Sequence, residues 1–215
     1  MPAGGKLEMR VRGPYITPGY WNSPQLTEAA FDDEGYYKIG DALKFADPAD
    51  PSRGLLFDGR VAEDFKLATG TWVSTGPLRN AVIAAGAPYV QDVVIAGHDR
   101  DDVCALIFPA IDACRKLADA EGQGGALATG ALLAHPKVRA TFQAILDALT
   151  RASTGSASRI ARALLMEVPP SLDAGEATDK GSLSQRMILQ HRAALVAELY
   201  QTPASPRTLA ASTAK

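Results

Sequence analysis

Residues 35–70 constrain the fold of this chain more than any other part of the sequence. This stretch contains two short segments: GYYKIGD, which ends at Asp41, and GRVAEDFK, which holds Arg60 and Glu63. Aromatic, β-branched and glycine residues surround both segments, a pattern typical of strands separated by tight turns. Charged residues at such turns lie at the mouth of a site more often than inside a core. We therefore expect the functional residues to include charges from these two segments.

The composition indicates a globular chain and excludes several kinds of partner. Its 215 residues are 47% hydrophobic and 21% charged, enough for one large domain or two small ones. The net charge of −2 provides no electrostatic footprint for nucleic acid or for an anionic membrane surface. No apolar stretch approaches the roughly 20 residues that a membrane span needs, and the first residues lack a secretory signal. We expect a cytoplasmic protein, in which Cys104 of the run VCALIFP is a buried small hydrophobic residue.

Strand patterns dominate the N-terminal part of the chain. Residues 6–12 alternate charged and apolar side chains, which predicts a half-buried strand, and residues 23–31 predict a short helix with Pro24 in its first turn. YYKIGDAL and GLLFDGRV predict a hairpin. Because a strand needs neighbours, we interpret residues 1–58 as the β-rich end of a larger sheet, with apolar surface exposed on residues 6–57.

From residue 59 the pattern changes to mixed helices and strands, and we predict an α+β module over residues 59–200. Its strands lie in YVQDVVIAGHD, VCALIFPA and IARALLMEVPPS, which makes a small sheet of three-stranded type, and the second run is apolar enough to be covered on both faces. The predicted helices cover residues 77–85, 111–121, 126–152 and 187–200, with GQGG separating the second from the third and Pro136 splitting the third. Residues 201–215 are rich in Pro, Ser, Thr and Ala, and we predict a disordered tail.

Four segments in a set order carry a resemblance to a known family: GPYITPGYWNSPQLTEAAF, GYYKIGD, GRVAEDFK and the late TDKGSLSQR. Together they resemble the AMP-forming adenylating superfamily, which includes acyl-CoA synthetases, luciferases and the adenylation domains of peptide synthetases. GTWVS and TDKGSLSQR are most similar to feruloyl-CoA synthetase and related aryl- or long-chain acyl-CoA synthetases. The resemblance implies that ATP and a carboxylic acid, ferulate for example, form acyl-AMP, which CoA then converts to acyl-CoA, with Mg²⁺ accompanying ATP. It also implies that the module is the small C-terminal lid domain of such an enzyme.

The resemblance assigns roles to particular residues. Asp41 matches the aspartate that binds the ribose hydroxyls of ATP or AMP, a role that suits a carboxylate able to accept from both hydroxyls. Arg60 matches an arginine that reaches the ribose or phosphate region, and Glu63 falls where the family has a hinge Asp or Lys, with Asp64 beside it leaving the register open. Gly70 and Trp72 match a loop that lines the pantetheine channel of CoA.

The late loop departs from the pattern of the family. The family has a Gly followed by the Lys that contacts the carboxylate and the α-phosphate, whereas here Lys180 precedes Gly181. We nevertheless assign Lys180 to this role, because no other cation precedes Arg186 in the loop and an ammonium would stabilise the charge that develops during adenylation. Whether Lys180 or another residue serves stays open. His98, His135 and His191 lack metal-ligand spacing, so no metal site is expected.

The phosphate-binding loop of the family, rich in Ser, Thr and Gly and ending in Lys, does not occur in these 215 residues. We therefore interpret the chain as the C-terminal part of a synthetase, from a truncated gene, a split protein or a shortened chain. The missing N-terminal domain would act in cis or in trans, and the chain alone would not adenylate, because the site closes between two domains. The alternative is a non-catalytic α+β module that binds a nucleotide, CoA or a protein partner.

Overall fold

A computed structural model describes residues 6–119 and 127–212 of the chain. It divides into two compact units, the first ending at Asp64 and the second beginning at Phe65. The predicted boundary lay after residue 58. The division falls later, after Asp64. The carboxylate of Asp64 pairs with Lys6 Nζ at 2.6 Å, which ties this residue to the first strand of the first unit.

The first unit is a three-stranded antiparallel sheet with a short helix. In chain order its elements are β1 (Leu7–Val11), α1 (Pro24–Ala30), β2 (Tyr37–Phe45) and β3 (Leu55–Arg60). The strand order β1-β2-β3 confirms the predicted hairpin, in which Asp41 lies opposite Arg60 and Phe45 opposite Leu55. Pro24 occupies the first turn of α1, where its missing N–H costs nothing.

The sheet of the first unit leaves much of its apolar surface uncovered. Trp21 is 97% exposed, and three consecutive residues of β3, Leu55 to Phe57, are each about half exposed although they alternate between the two faces of the sheet. Exposed apolar patches of this kind are typical of surfaces that bind a protein, a membrane or a ligand. The expected apolar exposure on residues 6–57 is therefore confirmed.

The second unit is built on a four-stranded sheet with helices on both faces. A hairpin of β4 (Phe65–Lys66) and β5 (Trp72–Val73) precedes it. The elements that follow are α2 (Thr75–Gly86), β6 (Val90–Ala96), β7 (Val103–Pro109), α3 (Ile111–Asp119), α4 (Thr129–Ala134), α5 (Pro136–Ala152), β8 (Ile160–Leu165), α6 (Gln185–His191), α7 (Ala193–Leu199) and β9 (Leu209–Ala210). The sheet order is β6-β7-β8-β9, with β7 and β8 parallel and joined by a crossover that carries α3, α4 and α5.

The apolar run of β7 is buried on both of its faces, as predicted. Alternate residues enter two separate hydrophobic clusters. One cluster contains Val103, Ala105 and Ile107 and is covered by α2 and α5, and the other contains Cys104, Leu106 and Phe108 and is covered by α6 and α7. The fold class, an α+β lid domain preceded by a β-rich segment, is confirmed.

Several boundaries agree with the sequence and others do not. Pro136 begins α5 directly after α4, as predicted. The predicted helix over residues 187–200 is instead two helices, α6 and α7, which meet at Arg192. The predicted end of the helix over 111–121 and the separating GQGG fall within residues 120–126, outside the described residues.

The predicted disordered tail covered residues 201–215, and the prediction is wrong for residues 201–212, which the structure describes. Leu209 is 3% exposed and belongs to the larger hydrophobic cluster, and β9 adds a fourth strand beside β8, where three were predicted. Two side chains of α5 hold the segment as well: Gln143 donates to the carbonyl of Ala210 at 2.8 Å, and Asp147 accepts from the amide of Ser212 at 2.9 Å. The composition concealed a short apolar segment that pairs with the edge of the sheet.

No helix among the described residues has the length and apolarity that crossing a membrane requires.

Candidate functional site

Asp41 and Arg60 face each other across the hairpin of β2 and β3. Gly40, directly before Asp41, has φ +80°, and the register of the two strands shifts between Asp41 and Leu43, so the ladder is irregular at this point. Arg60 Nε lies 3.5 Å from Asp41 Oδ1. The strand geometry thus brings together the two charges that the sequence singled out.

The carboxylate of Asp41 has acceptor capacity that its surroundings do not use. Its Oδ1 is buried and accepts no hydrogen bond from any residue that the structure describes. The charge of this oxygen is partnered by Arg60 Nε at 3.5 Å, while its capacity to accept a hydrogen bond stays unused among the described residues. The ion pair with Arg60 is largely exposed, since 63% of the arginine side chain is accessible, and therefore contributes little to stability.

Glu63 lies at the end of the first unit. It closes a single 3₁₀ turn over Val61–Glu63, and the next residue, Asp64, is the last of that unit. Asp64 is held by Lys6, whose ammonium also donates to the carbonyl of Asp58 at 2.7 Å. Lys6 thus links Asp64 to the end of β3, within the first unit.

Gly70 and Trp72 share the small hairpin that opens the second unit. The amide of Gly70 donates to the carbonyl of Leu67 at 2.8 Å, its φ is +83°, and no atom would lie within 4 Å of a Cβ there. A glycine is thus required by the backbone conformation, and the turn leaves space beside it. The ammonium of Lys66 lies 5.1 Å from the ring centroid of Trp72.

Trp72 also borders a cleft of about 370 Å³. Apolar residues of α2 and of the end of α5 form its walls, and hydroxyls of the loop after α5 form part of its rim; the lining includes Pro77, Leu78, Ala81, Leu149, Ser153 and Ser158. The cleft belongs wholly to the second unit.

Lys180 lies near the tip of a turn over residues 177–183. The turn is closed by a bridge between Ala177 and Leu183 and by hydrogen bonds from the amide of Thr178 to the carbonyl of Ser182 and from the amide of Gly181 to the carbonyl of Thr178. Gly181 has φ +79°, which explains a glycine directly after the lysine. The side chain of Lys180 is exposed and has no ion-pair partner within the described part of the chain.

Glu176 and Arg192 form a buried ion pair at the base of this turn, and sequence reasoning missed both. Arg192 Nε donates to Glu176 Oε1 at 3.0 Å and its NH2 donates to Oε2 at 2.6 Å, a bidentate geometry. Hydrogen bonds from Arg192 are the main cause of the lowered pKa of Glu176, opposed by burial. The two residues are 16 positions apart in unrelated patterns, so only burial in the tertiary structure reveals them.

No group of three or more His, Cys, Asp or Glu side chains in residues 6–119 and 127–212 could hold a metal ion. Cys104 is buried as expected, and burial raises its pKa to about 11, so the thiol stays protonated.

Three comparisons relate this chain to known proteins. A family model described as the AMP-binding enzyme C-terminal domain matches residues 64–204. The chain is 28% identical over 115 residues to a probable acyl-activating enzyme 16, chloroplastic, of Arabidopsis thaliana, which covers 51% of this chain and 16% of that protein. It is 25% identical over 193 residues to a long-chain-fatty-acid–CoA ligase of Mycobacterium tuberculosis, covering 90% of this chain and 31% of the ligase.

Among solved structures, the A domain of carboxylic acid reductase from Segniliparus rugosus, in complex with AMP and a co-purified carboxylic acid, superposes with a TM-score of 0.69. The match covers 92% of this chain and 28% of that one, and at 21% identity it shows a shared fold only. The chain thus spans less than a third of the length of each of these relatives.

Proposed function

Because this chain belongs to the AMP-binding enzyme C-terminal domain family, as the C-terminal part of an AMP-forming adenylating enzyme, we propose that it completes the active site of an acyl- or aryl-CoA ligase. That enzyme would convert ATP and a carboxylic acid to acyl-AMP and pyrophosphate, and then acyl-AMP and CoA to acyl-CoA and AMP. A large adenylation domain, in cis or in trans, would supply the phosphate-binding loop. We propose the cytoplasm as the compartment.

The unused acceptor of Asp41 supports this proposal most directly. A ribose carries two adjacent hydroxyls, and an ionised carboxylate can accept a hydrogen bond from each. Asp41 Oδ1 is buried without a donor among the described residues, and Arg60 stands beside it to contact the ribose or a phosphate oxygen. In this proposal a ribose hydroxyl supplies the hydrogen bond that Asp41 Oδ1 lacks among the described residues, and the ion pair with Arg60 keeps the carboxylate beside the ligand.

Gly70 and Trp72 are proposed to line the path of the pantetheine arm of CoA. The open space beside Gly70 would let a thin, flexible chain approach the backbone closely. Glu63, one residue before the last of the first unit, is proposed as the hinge about which the second unit turns between the two half-reactions.

Lys180 is proposed to act in the first half-reaction. During adenylation, an acyl carboxylate attacks the α-phosphate and negative charge accumulates on the oxygens between them. A lysine ammonium placed there stabilises the transition state more than the ground state. The exposure of Lys180 near the tip of a turn, without an ion-pair partner in the described residues, leaves its charge available for this role.

For the substrate we propose an aromatic carboxylic acid such as ferulate, on the resemblance of GTWVS and TDKGSLSQR to the aryl-CoA synthetases. We expect Mg²⁺ to accompany ATP and assign no ligand to it from this chain. CoA is proposed as the acceptor of the acyl group.

The test is a pyrophosphate-release assay with ATP and ferulate, followed by thioester formation with CoA. The isolated chain should release no pyrophosphate, and the chain joined to a large adenylation domain of a related ligase should release it. Lys180→Ala in the joined protein should lower the rate of acyl-AMP formation by about 10²–10³-fold. The matched control, Lys116→Ala, removes an exposed lysine of α3 and should leave the rate unchanged.

Four outcomes would contradict the proposal. Turnover by the isolated chain would refute the need for a large domain. Equal rates for Lys180→Ala and Lys116→Ala would refute the role of Lys180, and loss of activity in Arg186→Ala alone would transfer that role to Arg186. A joined protein that neither binds AMP nor turns over would favour a non-catalytic module.

A further inference from the structure

The buried ion pair of Glu176 and Arg192 connects the Lys180 turn to the sheet of the second unit. Glu176 is 4% exposed, and its pairing with Arg192 is bidentate, with distances of 3.0 and 2.6 Å. Arg192 donates further hydrogen bonds to the carbonyls of Val168 and Pro169, each at 2.8 Å. One guanidinium thus ties Glu176 to the chain segment that leaves β8.

The position of Arg192 is itself fixed by the core. Its guanidinium carbon lies 5.1 Å from the ring centroid of Phe108 on β7, a buried residue. Its backbone is the junction of α6 and α7, and its amide donates to the carbonyl of Ile188 at 2.9 Å. Because an arginine fork has a rigid planar geometry, a partner that engages two of its donors is held in orientation as well as in distance.

Glu176 transmits this constraint to the turn through its backbone. Its carbonyl accepts from the amide of Ser184 at 2.9 Å, directly after the turn of residues 177–183. On the preceding side, its amide donates to the carbonyl of Ser171, and the amide of Ser171 donates back to Glu176 Oε2 at 3.0 Å. Both ends of the turn are therefore held at Glu176, and the hydrogen bonds at the tip that involve described residues are local ones among Thr178, Gly181 and Ser182.

We propose that Glu176 and Arg192 are positioning residues, which hold the turn of residues 177–183 and thereby aim the ammonium of Lys180 during adenylation. The inference rests on the role proposed above for Lys180. A catalytic group must be held to within about 0.5 Å of its productive position, and a flexible lysine on a loose turn would not be. The ion pair and Lys180 both belong to the second unit, so the pair keeps its position relative to the lysine when that unit turns about the proposed hinge.

Amide hydrogen exchange on the 215-residue chain tests the structural half of the proposal. Glu176→Gln keeps the size of the side chain and weakens its pairing with Arg192, and Arg192→Ala removes the guanidinium. In both variants the amides of Thr178, Gly181 and Ser182 should exchange at least about tenfold faster, because opening of the turn needs less free energy. Arg159→Ala is the matched control. Arg159 directly precedes β8 and pairs with Asp102, which directly precedes β7. This ion pair lies at the starts of the two strands, whereas Arg192 packs near the end of β7, so its loss should not change the amides of the turn.

The functional half is tested in the chain joined to a large adenylation domain. Glu176→Gln should lower kcat for acyl-AMP formation by about 10–100-fold, since a displacement of about 1 Å can cost that much, with KM for ATP nearly unchanged. Conversion of added acyl-AMP to the thioester should keep the wild-type rate, because Lys180 is proposed to act only in the first half-reaction. Arg192→Lys keeps the charge and should restore part of the rate lost in Arg192→Ala.

Unchanged exchange of the turn amides in both variants would overturn the proposal, as would equal losses in the two half-reactions. If the joined wild-type protein proves inactive, the proposed function fails, and the exchange measurement still decides whether the pair holds the turn.

Discussion

Replacing Leu209 by Ala tests whether the C-terminal segment is part of the folded second unit. Leu209 is 3% exposed, lies opposite Ala163 of β8 and belongs to the larger hydrophobic cluster. The substitution removes the isopropyl part of this side chain from the core and leaves the backbone hydrogen bonds of β9 in place. The change in the free energy of unfolding thus reports the burial of this one side chain.

The expected loss follows from the burial. Leu→Ala substitutions in protein cores cost about 2–5 kcal/mol, the larger values where the surroundings cannot collapse into the space. β9 is a two-residue strand at the edge of the sheet, so it can relax, and we expect about 2–3 kcal/mol. For a unit of this size that corresponds to a decrease of about 5–10 °C in Tm.

Urea unfolding followed by tryptophan fluorescence measures this loss in the second unit alone. The chain has two tryptophans, Trp21 in the first unit and Trp72 in the second. Because Trp21 is 97% exposed, Trp21→Phe should cost little and leaves Trp72 as the only indole. In this background, the unfolding midpoint of Leu209→Ala should fall by about 1 M urea or more, from an m-value of about 2 kcal/mol/M.

Leu172→Ala is the matched control, since Leu172 is the same residue type in the same unit and is 58% exposed. It should change the free energy of unfolding by less than about 0.5 kcal/mol. If Leu209→Ala proved as mild as Leu172→Ala, the docking of the C-terminal segment would be refuted, and residues 201–212 would be a free tail after all.

Two further predictions concern the first unit and the Lys180 turn. The uncovered apolar surface of β3 should bind a hydrophobic dye such as ANS, and Phe57→Ser should reduce the fluorescence; no dye binding by the wild-type chain would contradict the interpretation of this surface. Because Arg192 lowers the pKa of Glu176, the pair adds to the free energy of unfolding above the ordinary glutamate pKa of about 4.3, and this contribution is lost as the pH falls through the lowered value. Glu176→Gln should therefore flatten the rise of unfolding free energy with pH in this acidic range, and an unchanged slope would show that the pair does not form.

Local sequence patterns correctly predicted those parts of the fold that depend on residues adjacent in the chain. The apolar run of VCALIFP predicted a strand covered on both faces, and Pro136 predicted where α4 gives way to α5, because each pattern reports burial or backbone geometry at the position itself. The order of GYYKIGD, GRVAEDFK and TDKGSLSQR predicted the family, and the family model that matches residues 64–204 confirms it. The strand patterns of YYKIGDAL and GLLFDGRV predicted the hairpin, and the structure supplied its register, in which Arg60 lies opposite Asp41.

Only the tertiary structure decided which distant residues meet. The pairing of Glu176 with Arg192, the unused acceptor of Asp41 and the addition of β9 to the sheet each join segments that look ordinary when taken alone. A lone glutamate in a polar loop, and a Leu in a Pro- and Ser-rich tail, resemble solvated residues in sequence. Their burial is a property of the surfaces that pack against them, and those surfaces are distant in the chain, so no local pattern contains it.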